Sequence, residues 1–428
     1  MNLSTQPYKG SRDFYPEDKR IQSYMFSKLR AVVESFGYQE YDAPIIEPTE
    51  LYLSKSSDEI VSEQTYSFTD RGDRNITLRP EMTPTVSRMV AGRRQELAYP
   101  LRWYSIPDLW RYERPQAGRL RQHYQLNVDL FGVAGIEGDH EIISVADSIL
   151  KGFGAEAQDY EIHINSRQLI NTILADFVEN NTDQVESVIR LVDHKSKMPH
   201  PEFKEALAKL VGAGREHELF ELISLKSFAE LPEKYAKHPS VSQLQELKEL
   251  LAASGVTNIV DDLSLMRGFD YYTDIVFEVF DTHPDNNRSM FGGGRYDGLV
   301  GLFGVEPVPT VGFGMGDVTL QRFLELHKLL QELEPETDAV AIIIGDVYKD
   351  AQAVLSQLRE QGANIAVDSS GRKIDAQIRS AVKSNVPFVI FIGEEELKSG
   401  SFKVRNLKRG EEHQLALKQV AETLKARR

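Results

Sequence analysis

Residues 101–131 carry the pattern that most constrains the fold. The residues on either side of the loop PQAGRLR look like two long strands, and in the second strand Gln125, Asn127 and Asp129 alternate with apolar residues. Side chains alternate between the two faces of a strand, so these three polar groups share one face and the apolar ones share the other. A hairpin of this kind belongs to an antiparallel sheet that is covered on one face. We therefore predict such a sheet.

The same hairpin concentrates positive charge. Its loop region holds Arg111, Arg114, Arg119 and Arg121 against the single acid Glu113, although the formal net charge of the chain is −15. Guanidinium groups bind phosphate oxygens through two parallel hydrogen bonds. The polar face therefore has two interpretations, a solvated outer surface or the floor of a pocket for a polyphosphate whose charge shifts during a reaction. Base rates favour the first, and the arginine density favours the second.

Composition sets the class of the protein. A length of 428 residues predicts two or three domains, and 41% hydrophobic with 27% charged residues is typical of a globular chain rather than a disordered one. Cysteine is absent, which excludes disulfides and thiolate metal sites. The N-terminus lacks the apolar core of a signal peptide, and runs such as VPFVIFI fall short of the ~20 residues that span a membrane. We expect a soluble, cytoplasmic protein with no membrane segment.

The chain divides by pattern into three parts. Residues 1–330 form the expected core, and within it 167–254 is an almost continuous series of amphipathic helices with no strand alternation, which predicts a helical insertion. The Glu-rich stretch 331–338 marks a boundary. Beyond it, 336–428 alternates apolar strands with helices, predicting a small α/β domain. This last part holds 15 Lys and Arg against 13 Asp and Glu, so its charge differs from that of the rest.

Several motifs resemble one protein family in the family's own order. WRYERPQAGRLRQHYQ resembles motif 2 of the class II aminoacyl-tRNA synthetases in the form found in the histidyl-tRNA synthetase family. PYKGSRDFYP, TLRPEMT (77–83), MRGFDYYT (266–273), the glycine-rich FGGGRYDGLV and VGFGMG (291–316), and GRKIDAQIRSAVKSNVPFVIFIGEEEL resemble further segments of that family. The resemblance spans nearly the whole chain. It implies an α+β catalytic domain on an antiparallel sheet, the class II synthetase fold, followed by an α/β anticodon-binding domain.

The resemblance also implies a reaction. Members of the family are ATP-dependent ligases that convert L-histidine and ATP to histidyl-adenylate and pyrophosphate, and then transfer histidine to the 3′-terminal adenosine of tRNA(His). It further implies Mg²⁺ on the ATP phosphates, and a homodimer built through the segment 17–50, which resembles motif 1. The helical insertion would approach the acceptor stem, although a solvated helical bundle remains an alternative. The ten histidines show no convincing metal-ligand spacing, so we predict no metal site built from side chains.

Residues that would bind histidine follow from the matched motifs. By resemblance they are Glu81, Met82, Thr83, Gln125, Asp129, Tyr271 and Tyr272. Glu81 would accept the α-ammonium group. The family usually has Glu at the position of Asp129, so this carboxylate is one methylene shorter. If Tyr271 and Tyr272 are strand neighbours they point to opposite faces, and one of them is then equally compatible with a place in the core.

Residues that would bind ATP come from two distant motifs. Without the resemblance, a lone Arg267 would be taken for a surface cation. By resemblance Arg267 and Arg111 are the catalytic residues and hold the α-phosphate, with Glu113 nearby. Arg119, on the loop, would cover the β- and γ-phosphates.

The glycine-rich segments leave two questions open. Gly292, Gly293 and Gly294 are typical of a turn or bulge, whereas the resemblance implies a bare surface on which substrate can lie. Thr319 occupies the position at which motif 3 of the family carries an arginine that stacks on adenine. Arg322, one helical turn further, is a candidate replacement.

Two other functions remain as alternatives. The synthetase-like regulatory subunit of ATP phosphoribosyltransferase binds histidine without acylating it, and the change at Thr319 favours that interpretation. Such proteins typically lack the anticodon-binding domain and have altered RGxDYY and motif 2 arginines, and this chain retains all of these features. A biotin- or lipoate-type ligase of the same fold is disfavoured by the C-terminal α/β pattern.

Overall fold

The computed structural model divides the chain into two compact units. One comprises the chain through Phe14 together with Gln22–Leu330, and the other comprises Tyr15–Ile21 and the chain from Gln331 onward. The structure describes residues 3–53, 64–114, 119–178, 181–193, 195, 198–267, 271–286 and 288–426. Residues 115–118 of the arginine loop and 268–270 of the RGxDYY segment, which belong to two of the predicted motifs, lie outside these ranges.

Strands and helices are numbered in chain order. The strands of the first unit are β1 (Gln39–Glu40), β2 (Ile46–Pro48), β3 (Tyr66–Thr69), β4 (Asn75–Leu78), β5 (Leu101–Ser105), β6 (Asp108–Trp110), β7 (Gln122–Phe131), β8 (Tyr160–Ser166), β9 (Ile259–Asp261), β10 (Ile275–Asp281), β11 (Ser289–Arg295) and β12 (Thr310–Gly316). The helices up to residue 330 are α1 (Pro16–Ser35), α2 (Glu50–Leu53), α3 (Thr83–Gly92), α4 (Ile136–Gly152), α5 (Arg167–Phe177), α6 (Thr182–Asp193), α7 (His200–Val211), α8 (Arg215–Leu222), α9 (Glu233–Ala236), α10 (Pro239–Ala253) and α11 (Asp317–Leu326), with 3₁₀ turns at Phe228–Glu230 and Val300–Phe303. In the described part of the chain, none of the helices combines the length and the apolar character that crossing a membrane requires.

A large antiparallel sheet dominates the first unit, as the hairpin pattern predicts. Its strand order is β1-β5-β7-β12-β11-β10-β8-β9, with β6 also paired to β7, and only the edge pairs β1–β5 and β8–β9 are parallel. The apolar face of β7 is fully buried at Val128 and Leu130. Helix α4, which is buried along Ile142, Val145 and Ile149, packs against β7 and β12. The opposite, polar face of β7 is therefore available for a binding site.

The first arm of the hairpin differs from the prediction of one long strand. It is two short strands, β5 and β6, interrupted at Ile106 and Pro107, and both pair antiparallel with β7. Proline has no backbone N–H, so it interrupts a ladder. Its carbonyl oxygen still accepts a hydrogen bond from Gln125 N at 3.0 Å. Arg111 consequently lies beyond the end of β6 and pairs through its backbone with Arg121 at 2.8 Å.

Helices follow one another between β8 and β9, as the amphipathic pattern predicts. The segment runs from α5 to α10, and no strand interrupts the described residues between Arg167 and Ala253. Each helix buries one apolar stripe, for example Leu169, Ile173 and Phe177 in α5. The segment thus forms its own helical layer while both of its ends are anchored in the sheet.

The second unit is a separate α/β structure. Its elements are β13 (Ala339–Ile343), α12 (Tyr348–Glu360), β14 (Ile365–Asp368), α13 (Ile374–Lys383), β15 (Phe388–Ile392), α14 (Glu394–Ser399), β16 (Ser401–Asn406), β17 (Glu412–Ala416) and α15 (Leu417–Lys425). The strand order is β14-β13-β15-β16-β17. The first three strands are parallel, as the alternation predicts, whereas the antiparallel pair β16–β17 was not apparent from the sequence.

A buried ion pair joins α4 to the sheet. Arg295, at the end of β11, contacts Asp139 at 2.5 Å and donates hydrogen bonds to the carbonyl oxygens of Val133 and Gly135 at 2.9 and 3.0 Å. Its side chain and that of Asp139 are 5% and 3% exposed. The carbonyls lie just before α4, so a single guanidinium fixes where this helix begins on the sheet.

We predict that Arg295→Ala lowers the free energy of unfolding of the first unit by about 3–5 kcal/mol, because it leaves Asp139 buried without its partner. Urea unfolding at pH 8 measures this. The matched control is Arg30→Ala, which removes the exposed ion pair with Glu40 and should cost less than about 1 kcal/mol. Equal losses in the two variants would contradict the structural role of Arg295.

Candidate active site

A cleft of about 450 Å³ lies on the polar face of the sheet. Strands β7, β12, β11 and β10 contribute its floor, and its volume suits a small-molecule site. Most of the predicted site residues line it, although they come from distant parts of the sequence. Those that line it are Glu81, Thr83, Arg111, Glu113, Arg119, Gln125, Asp129, Arg267, Tyr271, Tyr272 and Gly292.

Three predicted site residues do not line the cleft. Met82 is fully buried in front of α3 and belongs to the core. A Cβ atom on Gly293 would collide with the carbonyl oxygen of Gly312. A Cβ atom on Gly294 would lie 2.9 Å from the ring of Tyr272. These two glycines therefore allow the strands and the tyrosine to approach closely, without offering a surface to the cleft themselves.

The other glycines of the floor make room for polar side chains. A Cβ on Gly292 would overlap the guanidinium of Arg267. Gly312 pairs with Asp129 across the β7–β12 ladder, and a Cβ there would lie 2.5 Å from the Asp129 carboxylate. A Cβ on Gly314 would lie 2.9 Å from the side-chain amide carbon of Gln125. These glycines thus leave open the space that neighbouring polar side chains occupy.

Asp129 is a buried carboxylate with one free oxygen. Its Oδ1 accepts a short hydrogen bond from the hydroxyl of Tyr296, whereas Oδ2 has no hydrogen-bond partner among the described residues. Burial raises the pKa of Asp129 to about 7, and the hydrogen bond from Tyr296 opposes that rise. A ligand that donates a hydrogen bond to Oδ2 would supply the partner that this atom lacks.

The two tyrosines of the RGxDYY segment lie side by side. Tyr271 and Tyr272 are each 8% exposed, with ring centroids 4.9 Å apart. The segment at these residues is not a strand, so the argument that neighbours face opposite ways does not apply, and both line the cleft. The hydroxyl of Tyr271 donates a hydrogen bond to Glu81 Oε2 at 3.3 Å, which orients that buried carboxylate.

Arg267 lines the cleft with a side chain that is only 12% exposed. Its Nη1 donates to the carbonyl oxygen of Phe277 at 3.2 Å and lies 3.6 Å from Glu278, while its guanidinium lies over the Tyr272 ring at 5.4 Å. Its Nε has no hydrogen-bond partner in the part of the chain that the structure describes. Its φ of +46° is a left-handed conformation that L-residues adopt at a cost. A buried cation with an unused donor suits an anionic ligand.

Arg111 and Arg119 add two further guanidinium groups to the lining of the cleft. Arg111 Nε donates to the carbonyl oxygen of Pro80 at 2.8 Å, which ties it to the segment before Glu81. Arg119 lies 3.6 Å from Glu113 and remains 51% exposed. The first arginine is thus fixed, and the second has freedom to approach a ligand.

Sequence reasoning missed several residues of the cleft. His123 lines it, and burial, with Arg111 and Arg12 nearby, lowers the pKa of His123 to about 3. Strand parity could have found His123, because it lies two positions before Gln125. Arg190 and Asp193 of α6 also line the cleft, and nothing in their amphipathic helix distinguishes them.

Thr319 lines the cleft, whereas Arg322 does not. The Thr319 hydroxyl lies 3.0 Å from the carbonyl oxygens of both Gly316 and Met290, so its one hydrogen is donated within the protein. Arg322 points elsewhere and donates to the carbonyl oxygen of Asp285 at 2.9 Å. Arg322 therefore does not take the position of the missing motif 3 arginine.

The arrangement brings buried carboxylates and guanidinium groups together within one cleft. Glu81 and Asp129 provide buried carboxylates for a cationic or proton-donating ligand, and Arg111 and Arg267 provide charge for an anionic one. Groups placed in this way can bring two charged reactants together and stabilise charge that develops between them.

Comparison with known proteins gives concordant findings. Residues 10–318 match the family described as Histidyl-tRNA synthetase, and residues 338–427 match the Anticodon binding domain. A histidine–tRNA ligase from Leptospira biflexa is 40% identical over 413 residues, covering 95% of this chain and 94% of the relative. A histidine–tRNA ligase from Haloarcula marismortui is 36% identical over 411 residues, covering 94% of each chain.

Solved structures share the fold. A histidyl-tRNA synthetase from Nostoc sp. PCC 7120 superposes with a TM-score of 0.83 at 22% identity, over 100% of both chains. A Bacillus halodurans structure described as an ATP phosphoribosyltransferase regulatory subunit/histidyl-tRNA synthetase has a TM-score of 0.75 at 23% identity, covering 92% of this chain and 99% of that one. At these identities the likeness concerns the fold.

We predict that Tyr296→Phe raises the pKa of Asp129 above about 7, because the variant removes the hydrogen bond that stabilises the ionised form. Carboxyl carbon NMR of the protein labelled at aspartate measures the titration. Tyr15→Phe, which alters an exposed ring, is the matched control and should leave the titration unchanged. An unchanged or lowered pKa in Tyr296→Phe would contradict the assigned hydrogen bond.

Proposed function

The chain belongs to the histidyl-tRNA synthetase family and is a histidine–tRNA ligase, and from this premise we propose how its residues divide the reaction. Such a ligase uses ATP, histidine and tRNA as substrates. The observation that carries the residue assignments is that one cleft is lined both by the buried carboxylates of Glu81 and Asp129 and by the guanidinium groups of Arg111 and Arg267. Each kind of group suits one of the two small substrates.

We assign histidine to the carboxylates of Glu81 and Asp129. Glu81, oriented by Tyr271, would accept hydrogen bonds from the α-ammonium group, and Thr83 lies beside it on the cleft wall. The free Oδ2 of Asp129 would accept the imidazole N–H, which supplies the partner that this buried atom lacks. Gln125 and the tyrosine rings complete the enclosure. Met82 would act only as core packing behind Glu81.

We assign the triphosphate of ATP to the arginines of the cleft. Arg111 and Arg267 would hold the α-phosphate from two sides, while Glu113 positions Arg119 over the β- and γ-phosphates. One carboxylate oxygen of histidine attacks the α-phosphorus and pyrophosphate leaves, giving histidyl-adenylate. The transition state gathers negative charge on the phosphate oxygens, where two fixed guanidinium groups stabilise it.

The second step needs positioning of the tRNA and stabilisation of the departing phosphate. A hydroxyl of the 3′-terminal ribose attacks the carbonyl carbon of histidyl-adenylate, the new ester bond forms, and AMP leaves. The bare floor at Gly292 and Gly312 would let the adenylate lie close to the sheet. Arg267 then faces the departing phosphate and continues to stabilise its charge.

The adenine would lie at the end of the cleft lined by His123, Val318 and Thr319. Because the pKa of His123 is far below neutral, its imidazole is uncharged and offers a flat ring face. This neutral ring would stack on the adenine in place of the motif 3 arginine, whose position Thr319 occupies.

Mg²⁺ would enter with the ATP. Mg²⁺ prefers phosphate oxygens and water, and the described residues contain no group of three His, Cys, Asp or Glu side chains placed to hold a metal ion. We therefore propose that the β- and γ-phosphates hold it, with Glu113 as the carboxylate available to add a ligand. When bound, the ion would neutralise charge on the pyrophosphate leaving group.

The remaining assignments concern the larger partners. We propose that residues 1–330 form the catalytic core, with 167–254 inserted to approach the acceptor stem of tRNA(His), and that 336–428 bind the unstacked anticodon bases. The segment 17–50 would form the interface of a homodimer. We place the enzyme in the cytoplasm, where its tRNA substrate is used.

Activity assays test the function directly. Purified protein should catalyse histidine-dependent exchange between ATP and pyrophosphate, and should then charge tRNA(His). If no amino acid supported exchange while histidine still bound, the regulatory-subunit alternative would replace this proposal.

We predict that Arg267→Ala lowers the rate of adenylate formation by about 10²–10³-fold while changing histidine affinity little, because it removes a contact to the charge of the transition state. Pre-steady-state adenylation and histidine titration measure the two effects. Arg322→Ala is the matched control and should react normally, since Arg322 does not line the cleft. A variant that mainly lost histidine binding would show that Arg267 does not act on phosphate.

We predict that Asp129→Asn raises the KM for histidine by roughly 10–150-fold, the equivalent of a hydrogen bond to a charged group worth about 1.5–3 kcal/mol, and leaves the KM for ATP within twofold. The exchange assay gives both constants. Asp70→Asn, at a partly exposed carboxylate that pairs with Arg74 and does not line the cleft, should change neither. Equal rises in both KM values would contradict the placement of the imidazole.

A further inference from the structure

Arg121, which the proposed reaction does not use, lies within a cluster of tyrosines at the base of the arginine loop. Its guanidinium lies over the ring of Tyr112 at 4.1 Å and over that of Tyr8 at 5.6 Å, and Nη1 donates a hydrogen bond to the Tyr8 hydroxyl at 3.0 Å. Tyr66 meets the rings of Tyr112 and Tyr8 edge-on, with centroids 5.3 and 6.3 Å away. We call Tyr8, Tyr66 and Tyr112 the tyrosine cage.

The N-terminal segment is fixed to this place by its backbone. The carbonyl oxygen of Gly10 accepts hydrogen bonds from the N–H groups of Arg121 and Gln122 at 2.8 and 3.1 Å. Gly10 has a φ of +89°, and a Cβ there would lie 2.7 Å from Cγ of Arg121. Only glycine therefore permits this approach, and it presents Tyr8 next to the loop.

The cage leaves aromatic surface exposed beside the mouth of the cleft. Tyr8 and Tyr112 are 52% and 50% exposed, although Arg121 covers one face of the Tyr112 ring. The N–H of Tyr112 donates to the carbonyl oxygen of Gln64 at 2.7 Å, and both Gln64 and Glu113 line the cleft. Tyr112 is thus one residue from Glu113 in the chain and bonded through its backbone to Gln64, two residues that line the cleft.

We propose that the tyrosine cage binds the unpaired nucleotides at the 3′ end of the tRNA, which must pass the mouth of the cleft for the terminal ribose to reach the adenylate. Unstacked bases bind to aromatic side chains and to arginine planes, and their phosphates attract guanidinium groups. The cage offers two half-exposed rings with Arg121 between them. The inference rests on the proposed function and extends it to the RNA substrate.

Charge favours RNA over a second protein surface at this place. The exposed Arg114 and the half-exposed Arg119 flank the cage, in a chain whose net charge is −15. A cationic surface on an otherwise acidic chain attracts the closely spaced phosphates of RNA.

The test separates the two chemical steps. Tyr8→Ala and Tyr112→Ala should each lower the single-turnover rate of transfer from enzyme-bound histidyl-adenylate to subsaturating tRNA by about 10-fold or more, as expected for loss of base stacking. Histidine-dependent exchange should stay within twofold. Tyr112→Trp, which preserves a ring, should retain transfer. Phe303→Ala, at another partly exposed ring, is the matched control and should transfer normally.

Each other outcome overturns the proposal in a recognisable way. Equal losses of exchange and transfer would show that the cage only positions the arginine loop. Unchanged transfer in both alanine variants would show that the rings do not contact RNA. Dissociation of the variants into smaller species in sedimentation would identify the surface as a protein interface. Absence of exchange in the unaltered protein would instead refute the proposed function itself.

Discussion

The pairing register between β7 and β12 is the constraint on which the cleft depends. It places Gly312 opposite Asp129, and this glycine leaves space for a carboxylate that any side chain would displace. The same bareness recurs at Gly292, beneath Arg267. A slip of one residue would turn the polar face of β7 towards α4 and the apolar face towards the substrates. Fold and site are therefore specified by the same ladder.

The site holds charges in surroundings that disfavour them. Burial raises the pKa of Asp129 to about 7, and Arg267 is held by the Phe277 carbonyl and a carboxylate 3.6 Å away. Neither arrangement satisfies the whole side chain, since Asp129 Oδ2 and Arg267 Nε have no hydrogen-bond partners among the described residues. Buried polar atoms without hydrogen-bond partners lower the stability of the free protein, and a charged ligand can supply those partners when it binds.

The period-two pattern of β7 was sufficient to predict that Gln125 and Asp129 share a polar face on an antiparallel sheet. It could not show that Pro107 divides the opposing arm, because that depends on how a missing N–H is accommodated in the ladder. Arg267 reaches the cleft through a tertiary approach that no local period encodes, and its place was predicted only by resemblance. Arg190 and Asp193 carried no signal, since polar positions on an amphipathic helix look alike whether they face solvent or a cleft.

The most direct test of this account is a crystal structure with a non-hydrolysable analogue of histidyl-adenylate. The account predicts that the imidazole contacts Asp129 Oδ2 and that the phosphate lies between Arg111 and Arg267. An analogue bound in the reverse direction, with adenine against Asp129, or a phosphate that touches neither arginine, would contradict it.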